Sequence, residues 1–396
     1  MGAGGPSRCQ RYRRRLWTPS RSRSRSNLSL SMSQWILIAG CGMQLFFWIA
    51  FAFGFRRAHR TPERDTKNHT GIPATPEPIS IIIAVRNEAE NLPGLIRALD
   101  QQSFSPFEVI IVDDDSEDDT VELAENDAES RPWLRLIQQK SPEFPRKKRA
   151  LMVGIEAAHH DLLAFTDADC RPGPEWLSEI SRVHADRGPN TVVVGHAVFS
   201  RTPGLLNALA RYVSLLTTFQ AAATIGLGMP FMAFGTNLSY RRQTFREVGG
   251  YGDGMASLSG DDDLFVQRVA GKRAATIVWM GTEESIVMTT AQKSWGTWFR
   301  QKMRHHSAGR FFAPRIKIAG LLYWVSMAVV AAATMLYSWI AGVAWILVHA
   351  LCIGNAFCLL RAKDLILRLP ILVPLYFAIQ VLFPVAGFFK SQKTWK

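Results

Sequence analysis

Two aspartates separated by one residue, Asp167 and Asp169, follow the apolar run 162–165. That run has the pattern of a short buried strand, and the Arg-Pro-Gly-Pro segment at 171–174 ends it. Because alternate residues of a strand point the same way, the two carboxylates can converge on one cation. Paired carboxylates suit Mg²⁺ or Mn²⁺, which prefer oxygen ligands and leave positions for substrate phosphates. The spacing therefore predicts a divalent-metal site that also binds a diphosphate.

Two more polar clusters follow apolar runs. Arg86 and Glu88 come after the β-branched run 79–85, and an Asp-Asp-Asp-Ser segment occupies 113–116. Arg86 suits a phosphate and Glu88 suits a ribose or a base, although both also fit the ordinary polarity of a helix start. The carboxylates in the segment 113–116 repel one another unless they have a partner. A nucleotide base that offers an N–H donor would be such a partner. Asp and Ser also cap helices, which is the alternative reading.

Three further segments carry charge at predicted helix starts or near the carboxyl terminus. The basic run 146–149 places cations where a diphosphate would lie, and taken alone it is also typical of a solvated basic patch. Like-charge crowding and burial in the Gly-Asp-Asp-Asp segment at 260–263 raise a carboxylate pKa, which favours a general base there. The Gln-Lys-Met-Arg-His segment at 301–305 adds donors for a departing diphosphate.

Alternating strand and helix patterns position these clusters. The predicted strands are 79–85, 107–112, 134–138, 161–166 and 191–199, and the predicted helices are 89–101, 118–129, 147–158 and 175–186. Such alternation predicts an α/β domain with a mostly parallel sheet covered by helices. Open sheets of this kind bind ligands at the carboxyl ends of their strands, where the clusters fall.

The net charge of +13 is concentrated at the amino terminus. Residues 1–31 contain eight arginines and no Asp or Glu, so the remaining 365 residues carry only +5. We predict a disordered basic extension over 1–33, either an arm for anionic lipid or RNA, or an upstream extension before a natural start at Met32. For the rest of the chain we expect no nucleic-acid partner. The five cysteines include no C-x-x-C pair, so we predict no disulfide framework.

Long uncharged runs predict membrane helices at both ends of the chain. The 22 residues of 34–55 contain no charge and are followed by Arg56, Arg57 and Arg60. By the positive-inside rule, the next segment lies in the cytoplasm. The 43 residues of 318–360 also lack Asp, Glu, Lys and Arg. We therefore predict a C-terminal membrane region of two to three helices over 318–389.

The remaining segments connect the membrane helices to the α/β domain. We predict a linker over 61–78, a catalytic domain over 79–292, and an interfacial segment over 293–315, where basic and aromatic residues alternate. The apolar stretch 205–234 has Arg211 as its only charged residue, and we expect it to lie on the membrane surface or to be buried.

Taken together, these motifs resemble the family 2 glycosyltransferases of the inverting GT-A type, with membrane helices added. The resemblance covers roughly residues 79–310, in the family's order and spacing. The motifs that carry it are Ala84–Glu88, Val112–Ser116, Asp167–Asp169, Gly235–Arg241, Gly260–Asp263, and Gln301 with Arg304 and His305. The resemblance implies a GT-A nucleotide-sugar-binding fold.

The resemblance also implies a role for each matching residue. Asp114 matches the aspartate that contacts the uracil ring, and Asp169 lies nearest the Mg²⁺ or Mn²⁺ ion. Asp262 is the best match to the catalytic base, with Asp261 one position away. The other implied donor-site residues are Val85, Arg86, Glu88, Lys147, Asp167, Gln301 and Arg304, and the implied acceptor-site residues are Gly235 and Asn237.

The expected function is transfer of a sugar from a nucleotide-sugar, a UDP-sugar by the resemblance, to a lipid or lipid-linked acceptor. We expect a multi-pass protein of the cell membrane with its catalytic domain in the cytoplasm. Three departures from the family pattern are Asp115 in place of glycine, His305 in place of tryptophan, and the missing Glu before Asp261. The alternatives are a processive polysaccharide synthase and, in another class, a non-catalytic membrane or nucleic-acid-binding scaffold.

Overall fold

The computed structural model describes residues 1–2, 31–60, 76–140, 144–336 and 339–389. The predicted extension over 1–33 and the predicted linker over 61–78 therefore lie mostly outside the described residues.

The strands of the described residues form two sheets. They are β1 Ile79–Val85, β2 Phe107–Asp113, β3 Leu134–Gln138, β4 Leu162–Phe165, β5 Arg171–Pro172, β6 Thr191–Val194, β7 Ala197–Phe199, β8 Leu238–Arg241, β9 Thr276–Trp279 and β10 Val287–Thr289. The larger sheet has the order β3-β2-β1-β4-β8-β6-β9, and the smaller one β5-β10-β7. In the larger sheet only β8 is antiparallel to its neighbours. The predicted mostly parallel sheet is confirmed.

Helices cover both faces of the larger sheet and extend from it. They are α1 Met32–His59, α2 Leu92–Asp100, α3 Thr120–Ser130, α4 Arg146–Ala157, α5 Trp176–Arg187, α6 Leu205–Gly226, α7 Arg242–Val248, α8 Asp263–Lys272, α9 Trp295–Ser307, α10 Pro314–Leu336, α11 Trp339–Leu359 and α12 Leu369–Phe389. Short 3₁₀ turns occupy Gly252–Ala256, Ala308–Phe311 and Lys363–Arg368.

The pattern of β1 explains why the sheet is buried on both sides. All seven of its residues are buried. Ile82 and Ala84 face a core that includes α4 and α6, whereas Ile81 and Ile83 face a second core that includes α2 and α5. A continuous β-branched run is the sequence signature of such a central parallel strand.

The predicted strand over 191–199 was wrong in one respect, because it is two strands in two different sheets. The first strand ends just before Gly195, whose backbone N–H donates to the Asn237 carbonyl at 2.8 Å. A Cβ at Gly195 would lie 2.4 Å from the Asn237 side chain, so only glycine allows this close approach. The break turns β7 toward β10 and away from the large sheet.

The apolar stretch that begins at Leu205 is the buried helix α6, which settles the two alternatives left by its sequence. Its last turn packs backbone to backbone against α1, since a Cβ at Gly226 would lie 2.0 Å from the Gly54 carbonyl. Small residues at a helix crossing permit this approach.

Among the residues that the structure describes, three helices are long and apolar enough to cross a membrane, by length and composition: Met32–His59, Pro314–Leu336 and Gly342–Leu359. They include the predicted amino-terminal span and two in the predicted C-terminal membrane region. The first of those two begins at Pro314, four residues before the predicted start, and so includes Arg315 and Lys317 in its first turn.

Candidate functional site

The polar clusters meet at the edge of the large sheet where β1, β2 and β4 end. Val85, the last residue of β1, pairs with Asp113, the last of β2, and Ile82 pairs with Phe165, the last of β4. Parallel strands present their carboxyl ends at one edge, so the segments that follow these strands are neighbours. The backbone confirms this proximity, since Asp114 N–H donates to the Val85 carbonyl at 2.9 Å.

Asp167 and Asp169 lie in a tight turn after β4, in which Cys170 N–H donates to the Asp167 carbonyl at 3.0 Å. Burial raises the pKa of Asp169 to about 6, and the neighbouring carboxylates of Asp167 and Glu88 add to the rise. Asp167 accepts a bond from the Lys147 ammonium at 3.0 Å. The turn therefore concentrates negative charge, only part of which has a positive partner.

This turn suits a divalent cation that also binds a substrate. Within the described ranges, no group of three or more His, Cys, Asp and Glu side chains is arranged as a complete metal site. Two carboxylate ligands are nevertheless what Mg²⁺ or Mn²⁺ requires when phosphate oxygens and water complete the shell. The raised pKa of Asp169 marks a carboxylate whose charge a cation would stabilise.

Asp114 is fully buried and holds one open acceptor. Its Oδ2 accepts from Arg146 Nε at 3.0 Å, whereas its Oδ1 has no hydrogen-bond partner in the described structure. Burial raises its pKa, and the nearby Arg146 and Arg86 act against that rise. A buried acceptor without a donor is costly unless a ligand supplies one.

The second acidic cluster lies at the start of α8 and is joined to the first by one lysine. Lys147 Nζ lies 3.0 Å from Asp167 Oδ1 and 3.3 Å from Asp261 Oδ2. Burial would raise the pKa of Asp261, but the Lys147 and Lys148 ammonium groups bring it below its ordinary value. The two carboxylates therefore share one cation.

Asp262 and Asp263 are bound to backbone instead. Asp262 Oδ1 accepts from Asp263 N–H at 2.7 Å, and its Oδ2 accepts from Gly235 N–H at 2.9 Å. Asp263 Oδ1 accepts from Ala233 N–H at 3.0 Å. Burial and like charges raise the pKa of Asp262 to about 6 and that of Asp263 well above its ordinary value. These two residues hold the 233–235 loop against α8.

The sequence predicted no role for Lys148 apart from its place in the basic run 146–149. It is buried, and its ammonium donates to the carbonyls of Gly254, Ser257 and Ser259 at 2.6, 2.8 and 2.8 Å. Burial lowers its pKa to about 8. The contacts fix the segment just before Asp261. Its place in the run 146–149 gave no signal, because successive residues of α4 point in different directions.

The other predicted donor-site residues follow β1 or lie on α9. Arg86 forms an ion pair with the exposed Glu117 at 3.5 Å, and Glu88 accepts from Asn91 Nδ2 at 2.7 Å. On α9, burial lowers the pKa of Arg304, and the charges of Asp261 and Asp167 oppose that change. Gln301 lies one turn earlier on the same helix.

The two predicted acceptor residues differ. A Cβ at Gly235 would lie 3.3 Å from Asp261 Oδ2, so glycine leaves room beside the carboxylates. The Asn237 side chain, by contrast, is buried and makes its hydrogen bonds within the protein. Its Nδ2 donates to the carbonyls of His196 and Ser285, and its Oδ1 accepts from Trp176 Nε1. It holds the two sheets together rather than facing a ligand.

The sequence and the fold were compared with those of known proteins. Residues 80–249 match the family model "Glycosyl transferase family 2". A mannosyltransferase from Pyrobaculum calidifontis, solved in complex with GDP-Man and Mn²⁺, aligns with a TM-score of 0.54 at 17% identity. The alignment covers 91% of this chain and 99% of that one. At this identity the likeness concerns the fold, and it confirms the expected GT-A architecture.

Among sequence relatives, the glycosyltransferase AglE of Haloferax volcanii is 30% identical over 192 residues, which are 48% of this chain and 60% of that protein. The undecaprenyl-phosphate 4-deoxy-4-formamido-L-arabinose transferase of Pseudomonas fluorescens is 31% identical over 156 residues, 38% of this chain and 43% of that protein. The chain thus spans less than two thirds of the length of either relative. The match of residues 80–249 to the family 2 glycosyltransferase model agrees with the motifs in that part of the sequence.

Proposed function

We propose that this protein transfers a sugar from a nucleotide-sugar to a lipid or lipid-linked acceptor at the membrane surface, with inversion at the anomeric carbon. One observation carries the proposal: Lys147 joins the carboxylate of Asp167, at the predicted metal and diphosphate site, to that of Asp261 at the start of α8. A donor site and a candidate base are thereby within reach of one another.

The donor's base lies beside Asp114. The open Oδ1 of this buried carboxylate accepts an N–H from the base, and Arg146 holds the other oxygen in place. A uracil ring offers such a donor, which supports a UDP-sugar. The diphosphate extends from there toward Asp169 and Asp167, where a bound Mg²⁺ or Mn²⁺ would neutralise the charge that develops on the leaving group.

Two cations of the chain itself assist the departure of the diphosphate. The Lys147 ammonium lies 3.0 Å from Asp167 and 3.3 Å from Asp261, and the charges of the same two carboxylates act on the pKa of Arg304. Positive groups placed where charge develops stabilise a transition state more than the ground state. The bond between the anomeric carbon and the phosphate oxygen breaks, and its electron pair leaves with the nucleoside diphosphate.

For the base, the geometry favours Asp261 over Asp262, although the neighbouring lysines lower the pKa of Asp261 whereas burial raises that of Asp262. Both oxygens of Asp262 accept backbone N–H groups, whereas the Asp261 side chain is directed at Lys147 and the donor site. Asp261 takes the proton of the acceptor hydroxyl as that oxygen forms the new bond to the anomeric carbon. Asp262 positions the Gly235 loop.

A membrane acceptor is supported by the elements that surround the site. Arg304 belongs to α9, and the α10 span follows α9 after one 3₁₀ turn. The relative from Pseudomonas fluorescens is named for transfer to undecaprenyl phosphate. The arginines that end α1 favour the cytoplasmic side for the catalytic domain.

The test uses membranes that contain the full chain, a panel of radiolabelled nucleotide-sugars with Mn²⁺, and separation of lipid extract from polymer. We expect label in the lipid extract. Asp261→Asn should lower the rate about 10²-fold or more, with donor affinity unchanged. Asp253→Asn, an exposed carboxylate of the preceding 3₁₀ turn, is the matched control.

Three outcomes would change the proposal. Label in polymer would favour a processive synthase. An inactive Asp262→Asn beside an active Asp261→Asn would move the base by one residue. If no nucleotide-sugar in the panel gives a labelled product, the proposed transfer fails.

A further inference from the structure

A groove with a cavity volume of about 660 Å³ runs between the C-terminal part of α1 and the second half of α11, away from the donor site. Its apolar wall includes Ile49, Phe53 and Leu351, and its other end is lined by Arg56, Arg57 and Arg60. That volume lies within the range of ~300–1,000 Å³ that is usual for small-molecule sites. The groove is therefore large enough for part of a lipid, apolar at one end and cationic at the other.

The three arginines lack acidic partners among the described residues. All three are exposed, and no side-chain hydrogen bond or ion pair joins them to another described residue. Other arginines of the protein are held by carboxylates, such as Arg131 by Asp100 at 2.8 Å. Three clustered guanidinium groups without a partner attract an anion, and guanidinium pairs well with phosphate.

The position of the groove in the membrane determines which anion it meets. Residues 34–55 of α1 carry no charge, so Arg56 and Arg57 stand where the helix leaves the hydrocarbon layer. Across from them, Leu351 and Cys352 belong to α11, which is also long and apolar enough to span. The groove thus runs from acyl-chain depth to phosphate depth within one leaflet.

We propose that this groove binds one anionic phospholipid of the surrounding membrane. The phosphate lies against Arg56, Arg57 and Arg60, and an acyl chain lies along Ile49, Phe53 and Leu351. No lining residue belongs to α8, α9 or the donor-site loops, so the lipid is a stabilising ligand and not the acceptor. The proposal does not depend on the sugar-transfer reaction.

The experiment uses the full chain in nanodiscs of phosphatidylcholine, with and without phosphatidylglycerol. Native mass spectrometry after release from the disc counts retained lipid, and thermal unfolding gives the stabilisation. We expect one phosphatidylglycerol per chain and a higher Tm in its presence. The variant with Arg56→Gln, Arg57→Gln and Arg60→Gln should retain this lipid at least about tenfold less.

A matched control removes three charges elsewhere. Arg97→Gln, Arg187→Gln and Arg273→Gln together change exposed arginines of the α/β domain and should leave lipid retention unchanged. Equal loss in this control would show that overall charge, and not the groove, holds the lipid, and it would overturn the proposal.

A second variant tests the apolar wall of the groove, and it remains informative if the triple arginine variant does not fold. Ile49→Trp fills the groove but keeps all three arginines, and it should also lose the lipid. Retention equal to the unmodified protein would mean that the lipid does not occupy the groove. Equal stabilisation by phosphatidylcholine alone would likewise contradict an anionic site.

Discussion

Two buried polar regions of this protein are built in opposite ways. Between the apolar helices α1 and α10, Gln44 donates to the Tyr323 carbonyl at 2.9 Å and to Ser326 Oγ at 3.0 Å, and accepts from Trp48 Nε1 at 2.9 Å. At the sheet edge and the start of α8 lie five aspartates (Asp167, Asp169, Asp261, Asp262 and Asp263), of which Asp167 and Asp261 share the Lys147 ammonium. The first network is neutral and uses the Gln44 amide completely.

The difference shows what each region requires. A neutral network whose donors and acceptors are matched holds helices together without a ligand. The acidic region has raised carboxylate pKa values at Asp169, Asp262 and Asp263, because burial and like charge oppose ionisation there. Buried carboxylates with strongly shifted pKa values are typical of functional sites. The comparison can be tested by neutralising members of each region.

The largest effect is expected for Asp169→Asn. This change removes one charge from the acidic region while keeping the shape of the side chain, so the transfer rate should fall at least ~10²-fold. The Tm should not fall, since repulsion with Asp167 is relieved. The rate is measured with the lipid-extraction assay and the Tm by thermal unfolding, beside Asp253→Asn. A rate near that of the unmodified protein would remove Asp169 from the site.

The next effect is expected for Lys148→Met, which removes the donor shared by three carbonyls of the segment 254–259. We expect a loss of about 3 kcal/mol in the free energy of unfolding, because buried acceptors are left without a donor. Denaturant unfolding measures the loss, and limited proteolysis should show new cleavage within the segment. Unchanged stability would mean that the ammonium contributes nothing there.

A smaller effect that depends on pH is expected for Asp263→Asn. The folded state raises the pKa of Asp263, so it binds a proton more tightly than the unfolded chain does. The stability that protonated Asp263 contributes is therefore lost as pH rises above about 4, and the asparagine variant has no such loss at this position. The Tm of the variant relative to the unmodified protein should increase from pH 4 to pH 7, by at least about 2 °C. A difference that stays constant with pH would contradict the raised pKa.

The smallest effect is expected in the membrane bundle, for Ser326→Ala. Gln44 loses one of its two acceptors but keeps the Tyr323 carbonyl. Hydrogen bonds between membrane helices contribute about 0.6 kcal/mol on average, so the detergent-solubilised protein should lose about that amount and retain its transfer activity. A larger loss in the free energy of unfolding for Ser326→Ala than for Lys148→Met would contradict this ranking of the two effects.

The sequence predicted the parts of the fold that local pattern controls. β1 and β4 are apolar runs that are followed by polar residues. Both strands end within one residue of their predicted limits. The meeting of 86–88, 113–116 and 167–169 at one edge followed from parallel pairing. The start of α8 beside that edge came from the family resemblance, since no local pattern relates it to β4.

The parts that failed depend on contacts between distant residues. Lys147 and Lys148 have the same side chain and adjacent positions, yet one meets carboxylates and the other meets carbonyls more than 100 positions along the chain. The hydrogen-bond partners of Asn237 were not predicted, for the same reason. Its three partners, on Trp176, His196 and Ser285, come from segments far apart in sequence, and no local pattern records them.

The central claim is that the acidic region binds a nucleoside diphosphate only together with a divalent cation. Calorimetric titration of the purified full chain with UDP, in Mn²⁺ and then in excess chelator, tests it most directly, with GDP as the second nucleotide. We expect binding in Mn²⁺ that is lost in chelator and in Asp169→Asn, but retained in Asp253→Asn. Equal affinity with and without the metal, for both nucleotides, would contradict the claim.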